Sequence, residues 1–231
     1  ITKMSIKYWG FYASQPCRTI IYIFRRFGIE YEHNEIRPRI DTRSEEFKQT
    51  VNKYGKCPVI EHDGVKMIES NAIAKYLCEV FDTDEVLLPK ADYKTRQKID
   101  ALLDIHGHTL KPLFAASYFE LKLNALYFGG KEPTEERKQE VLKSLHDALR
   151  DIDDYASESP YLAGDKMTIA DVQYYNNVYN LVTLLELRLD DHPNLKEWYN
   201  RMSEDAILQE LNGLMVESFA KFKEYDFSNV A

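Results

Sequence analysis

Nowhere in these 231 residues does an uninterrupted apolar run approach the roughly 20 residues that a bilayer-crossing helix needs. No charged-then-apolar leader stands at the start, so a soluble, cytoplasmic chain with no membrane partner is expected. Cysteine is scarce as well. Cys17, Cys57 and Cys78 make an odd number confined to one half of the chain, which fits a reducing compartment better than a disulfide framework. They form no Cys-x-x-Cys pair, and His33, His62, His106, His108, His146 and His192 do not cluster with them in sequence, so no metal site is expected. Basic residues are outnumbered, 30 Lys and Arg against 38 Asp and Glu, for a formal charge of −8. Neutralising phosphates takes a basic face, so a nucleic-acid partner is not expected. Internal repeats are missing too.

What is present supports a packed protein. With 44% hydrophobic and 29% charged residues, the chain can bury a substantial core as one large or two small domains. Up to about Phe81 the pattern alternates: β-type runs at 5–11, 31–36, 58–61 and 65–68, and helical runs at about 16–27, 44–51 and 70–81. The order is βαβαββα. His62-Asp63-Gly64 is a short Asp-Gly turn that predicts a hairpin between the last two strands. Beyond the polar connector Asp82 to Lys90 the β-type alternation disappears, and a helical domain follows. Its first helix runs from Tyr93 to about Leu121 with Pro112 expected to kink it. Others are expected from Pro133-Thr134 to Tyr155, from Thr168 through Leu189, at about 193–202 and at about 205–223. The domains are therefore set at 1–82 and 91–231.

One stretch carries chemistry. Ser14-Gln15-Pro16-Cys17-Arg18 places a hydroxyl between an aromatic-rich strand, Ile6 to Phe11, and the first turn of a helix. Pro16 falls near the first helical position, where its missing N–H costs nothing. Unpaired amides and the positive end of the helix dipole gather beside Ser14, a setting for a thiolate, carboxylate or phosphate. Cys17, one turn into an apolar helix, reads as a small buried side chain.

A small α/β unit followed by an all-helical one resembles the cytosolic glutathione transferases, with their thioredoxin-like N-terminal and all-α C-terminal domains. The residues carry the likeness further. Ser14-Gln-Pro-Cys-Arg18 looks like the first strand-to-helix turn of the theta class, and Lys56-Cys57-Pro58-Val59 resembles its Lys-Val-Pro-Ala segment. Glu69-Ser70-Asn71-Ala72-Ile73 resembles its Glu-Ser-Val-Ala-Ile. Tyr161-Leu-Ala-Gly-Asp-Lys-Met-Thr-Ile-Ala-Asp171 is similar to the family's Phe-Leu-Ala-Gly…Ser-Leu-Ala-Asp.

The resemblance implies a glutathione S-transferase that attacks electrophilic, apolar small molecules, uses glutathione as co-substrate with no other cofactor, and forms a homodimer. Ser14 would donate its hydroxyl to the glutathione sulfur. Tyr8 is the rival, because Tyr8-Trp9 resembles the Tyr-Trp with which the mu class makes the same donation. Glu69-Ser70, where mu-type enzymes carry Gln-Ser, favours Ser14. The bond before Pro58 is cis in the family, which turns the Cys57 main chain toward the tripeptide. Ser70 suits the γ-glutamyl carboxylate, Glu69 the neighbouring ammonium, and Lys56 and Arg43 the glycyl carboxylate, although theta-like enzymes commonly carry histidine at the Arg43 position. Tyr12, His108, Tyr118 and Phe119 are expected at the second-substrate pocket, and Asp171 is expected to be structural. The alternatives are a non-catalytic module of the same fold, or a peroxidase or isomerase using the same thiolate. An omega-type thiol transferase needs cysteine where this chain has Ser14.

Overall fold

The computed structural model describes residues 6–227. Both domain expectations, 1–82 and 91–231, run at their outer ends into residues beyond that range. Packing divides the chain into two compact units, Ile1–Asp84 with Ile207–Ala231, and Glu85–Ala206.

In the first unit, β1 (Ile6–Gly10) lies at the centre of a four-stranded sheet ordered β2-β1-β3-β4. It pairs in parallel with β2 (Tyr31–Glu35), Ile6 opposite Tyr31, and antiparallel with β3 (Val59–His62), Trp9 opposite Val59. Ile6, Tyr8 and Gly10 point to the buried face, as a period of two dictates. The β3–β4 (Val65–Ile68) connection is the expected two-residue hairpin. Asp63 and Gly64 both have positive φ, 50° and 81°, the conformation that matches the strands' right-handed twist.

Helix α1 (Gln15–Arg26) begins with Pro16 near its first position and is buried from Gln15 to Phe24. Arg25 and Arg26 sit in its last turn, where the dipole favours cations, and Gly28, at φ 60°, ends it. The short α2 (Ile40–Arg43) goes unforeseen, because four residues carry no readable period. Then come α3 (Glu45–Thr50), capped by the Ser44 hydroxyl on the Phe47 N–H, and α4 (Ser70–Phe81), which packs against α1.

The unit's last helix comes from the far end of the chain. Residues from 207 onward group with the sheet, whereas the sequence reading keeps them with the helical domain. Arg25 pairs with Glu210 at 2.8 Å, and the Phe222 ring meets Phe11 at 6.2 Å. Local periodicity shows that residues 205–223 form a helix but not which apolar surface it covers.

The second unit opens with α5 (Tyr93–Ile105), capped by Asp92. The chain does not break at Pro112. It passes through a π-helical turn at His106–Leu110, α6 (Lys111–Tyr118), a second π-turn at Phe119–Leu123 and α7 (Asn124–Tyr127). A wider turn just before proline absorbs its missing N–H and its ring without ending the helix. Helices α8 (Glu135–Glu158), α9 (Ile169–Leu185) and α10 (Pro193–Ser203) complete the unit. α9 stops short of Leu189 because Glu186 takes a left-handed conformation, φ 54°.

Asp171, in the first turn of α9, is fully buried and accepts four hydrogen bonds. Oδ1 takes the Leu162 N–H and the Trp198 indole N–H, each at 2.9 Å, and Oδ2 takes the Thr168 N–H at 2.8 Å and its hydroxyl at 3.0 Å. One carboxylate thus ties the loop before α9, the start of α9 and α10 together.

Candidate functional site

Ser14 stands where β1 hands over to α1, at the N-cap position of the helix, in extended conformation and half-buried. Its backbone does the work of the turn: the Ser14 N–H donates to the Phe11 carbonyl at 3.3 Å, and its own carbonyl accepts from the Arg18 N–H at 3.0 Å. The hydroxyl caps nothing in the helix. It lies instead beside the Cys17 thiol.

Arg18, quoted in the motif but given no role there, braces this turn. Its side chain is fully buried, and one guanidinium nitrogen reaches the carbonyls of Tyr12 at 3.0 Å and Ala13 at 3.4 Å. A buried arginine bonded to main-chain oxygens inside its own loop would have been the readable signal, since arginine in an apolar helix face is otherwise costly.

Tyr8 is placed differently. It is completely buried, its hydroxyl donates to the Cys17 carbonyl at 3.2 Å, and its ring meets Phe24 and Tyr31 edge-on at 5.7 Å each. Burial first, then the neighbouring Cys17, raises its hydroxyl well above the usual tyrosine value. Gly10 makes room for that ring. A Cβ there would stand 2.1 Å from the Tyr8 hydroxyl oxygen.

The Cys17 thiol is also fully buried. Burial pushes its pKa up, but the Cys57 side chain, the Ser14 hydroxyl, the Phe11 N–H and the Tyr8 hydroxyl hold it down, to about 7. The turn therefore favours a negatively charged sulfur.

The remaining first-unit residues of the motif set fall on three short segments. The Cys57–Pro58 peptide is cis, and Cys57 lies just outside the ladder that begins at Val59. Lys56 is exposed, and its carbonyl accepts from the Asn52 amide at 2.8 Å. Ser70 is buried at the first position of α4, not at its cap. The cap position belongs to Glu69, exposed, with φ 70° and ψ 110°. A non-glycine residue held there costs of order 1–3 kcal/mol and marks a constraint imposed by surroundings or function. Nothing in the one-letter sequence announces it.

Arg43 ends α2, exposed, beside Arg39, whose guanidinium is pulled below its usual value first by burial and then by the Arg43 charge. The turn at Gly55 closes directly on this helix, since a Cβ on Gly55 would sit 2.5 Å from the Thr42 carbonyl oxygen. So the segments bearing Arg43 and Lys56 are neighbours. Tyr12, half-buried, meets the His33 ring edge-on at 5.5 Å.

In the second unit His108 is exposed in the first π-turn, its Nδ1 2.9 Å from the Asp104 carbonyl. Tyr118 and Phe119 are half-buried where α6 meets the second π-turn, and Phe119 packs on Phe128 at 5.4 Å. Among the described residues no group of three or more His, Cys, Asp or Glu is placed to hold a metal ion, and no helix is long and apolar enough to cross a membrane.

Comparison with known proteins places this geometry. Residues 4–79 match the family model for the glutathione S-transferase N-terminal domain, and residues 119–210 match that for the C-terminal domain. The chain is 26% identical to chicken glutathione S-transferase theta-1 over 91% of its own length and 87% of the relative's. It is 28% identical to glutathione S-transferase F14 of Arabidopsis thaliana over 70% of its length, which spans only 65% of that relative. Among solved structures, apo human glutathione S-transferase T1-1 superposes with a TM-score of 0.85 at 21% identity, covering 95% of this chain and 91% of that one.

Proposed function

The chain belongs to the glutathione transferase family, as a theta-like transferase that conjugates glutathione, and we propose that Ser14 is the hydroxyl that holds the tripeptide's sulfur as a thiolate. The observation that supports this is the Ser14 side chain itself, at the mouth of α1 and unused by the helix. The same hydroxyl bonds the Cys17 thiol, which the Cys57 side chain first and Ser14 second hold down to about 7 against burial.

The energetics suffice. A free thiol has a pKa of about 8.5, so only a few per cent is thiolate near neutrality. Lowering it by one to two units takes roughly 1.4 to 2.7 kcal/mol, within the range of about 1.5 to 3 kcal/mol for one hydrogen bond to a charged acceptor. The thiolate then attacks the electrophilic carbon, forming the carbon–sulfur bond as the leaving group departs with its electron pair. Ser14 keeps its own proton throughout.

In this reading the γ-glutamyl carboxylate meets the Ser70 hydroxyl and the amides opening α4, the adjacent ammonium meets Glu69, and the Cys57 main chain pairs with the tripeptide backbone. Lys56 and Arg43 receive the glycyl carboxylate. Tyr12 is proposed to contact the electrophile, an apolar small molecule. The protein works as a cytoplasmic homodimer with glutathione as co-substrate.

Titrating glutathione into the protein by calorimetry, beside spectrophotometric conjugation assays with several electrophiles, tests the reading. Saturable binding with turnover supports it. Binding without turnover on any electrophile, peroxide or isomerisable substrate points to a non-catalytic module.

A further inference from the structure

Two of the three cysteines meet at the turn that carries Ser14. Cys17 belongs to the first turn of α1, Cys57 to the segment entering β3, and the two side chains are hydrogen-bonded to each other, although they stand 40 residues apart in sequence. They differ in access. Cys17 is fully buried, while Cys57 is half-exposed. Cys78, the third, is buried on α4 and takes no part in the pair. A disulfide brings its sulfurs to about 2.05 Å with the two Cα atoms within about 7 Å, so side chains that already meet are the pair to bridge.

We propose that Cys17 and Cys57 form a reversible disulfide, made by exchange with a small-molecule disulfide that enters at Cys57, and that this bridge closes the glutathione site. The Cys57 thiolate attacks one sulfur of the incoming disulfide, forming a mixed disulfide and expelling one thiolate. The Cys17 thiolate then attacks the Cys57 sulfur, forming the internal bridge and expelling the second thiolate. Two protein thiols are oxidised and one disulfide is reduced to two thiols, with the two protons passing to the released thiolates. Cys57 suits the first step by its exposure and Cys17 the second by its position behind it. The thiol pKa near 7 at Cys17 supports that order, since resolution needs a thiolate held in place.

Closure of the site rests on the proposed binding of tripeptide along the Cys57 main chain, because bridging draws that segment toward α1. The bridge itself does not rest on it.

Incubating the whole protein with glutathione disulfide, then mapping thiols by mass spectrometry of alkylated peptides, tests the bridge directly. The expected product loses two of three titratable thiols, shows a peptide joining Cys17 to Cys57, and recovers all three with dithiothreitol. Cys17→Ala should stop the reaction at a glutathione adduct on Cys57, and Cys78→Ser should leave the bridge unchanged. Three thiols remaining, a lasting Cys57 adduct in the unsubstituted protein, or a bridge to Cys78 would overturn the proposal. Conjugation and glutathione binding are measured on the same samples, and at least a tenfold loss on bridging, reversed by dithiothreitol, is expected. Full activity in the bridged form would refute closure. Protein that never binds glutathione, even when reduced, refutes the proposed function while the thiol map still decides the bridge.

Discussion

The Tyr8 hydroxyl donates to the Cys17 carbonyl at 3.2 Å from a completely buried position, while the Ser14 hydroxyl, six residues on, caps no backbone N–H of the helix it precedes and lies beside the Cys17 thiol. Two hydroxyls that the sequence offers for one task are thereby given different tasks. One locks strand to helix. The other, half-buried, is the one proposed to meet the tripeptide's sulfur.

That division makes opposite predictions for two conservative changes. Tyr8→Phe removes a buried neutral hydrogen bond and should cost about 1 kcal/mol in urea unfolding, with kcat nearly unchanged. Ser14→Ala should leave unfolding nearly unchanged and lower kcat by about ten- to a hundredfold, the loss of one hydrogen bond to a charged sulfur. The thiol of bound glutathione, followed by its ultraviolet absorbance, should titrate at higher pH in Ser14→Ala and not in Tyr8→Phe. Reversed results would hand the sulfur to Tyr8.

Glu69 supplies a prediction about strain. Its φ of 70° suits glycine, so Glu69→Gly should be more stable than Glu69→Ala by about 1 kcal/mol or more, since both lose the same carboxylate and only one relieves the backbone. Both variants should bind glutathione more weakly than the parent, the alanine and glycine forms to similar extents. Equal stabilities would show that the backbone at 69 is relaxed.

How far the sequence reaches is clear from these same residues. Strands and helices of the first unit were legible because their periods are regular and their ends carry Pro16, Gly28 and Asp63-Gly64, residues with one dominant backbone use. The motif order sets Ser14 at the turn into α1, Cys57 before a cis proline and Glu69-Ser70 at the start of α4, and the structure has them there. Three things were not legible. The positive φ at Glu69 belongs to a residue type that carries no such signal. The burial of Arg18 under its own loop depends on where a long side chain folds back. The grouping of residues 207–227 with the sheet is a long-range choice, made by pairs such as Arg25–Glu210 that are remote in the chain.

Asp171 gathers four donors, three of them main-chain or indole N–H groups that no water replaces in a fully buried setting. Asp171→Ala should therefore destabilise the protein by about 3 kcal/mol or more, each orphaned donor costing on the order of 1–3 kcal/mol before the site relaxes. Thermal unfolding checks the loss. Activity per folded molecule at low temperature should stay near that of the parent, since the carboxylate anchors helices and meets no substrate.

His106 sets the response of stability to acid. Its ring is wholly buried at the head of the first π-turn, with Nε2 2.7 Å from the Asn177 amide nitrogen, and burial, assisted by the Lys111 charge, lowers its pKa to about 3. In the unfolded chain the same ring takes up a proton near pH 6.5. Above that value both states carry a neutral ring and the fold keeps its full stability. Between about 6.5 and 3 the unfolded state holds the extra proton, so unfolding becomes easier as pH falls, and below about 3 the effect levels off. The full span is worth on the order of 5 kcal/mol. Urea unfolding at a series of pH values from 7 to 4 should show this decline, and His106→Gln, which titrates in neither state, should flatten it relative to the parent. Parallel curves for the two proteins would mean that His106 takes up its proton equally in both states.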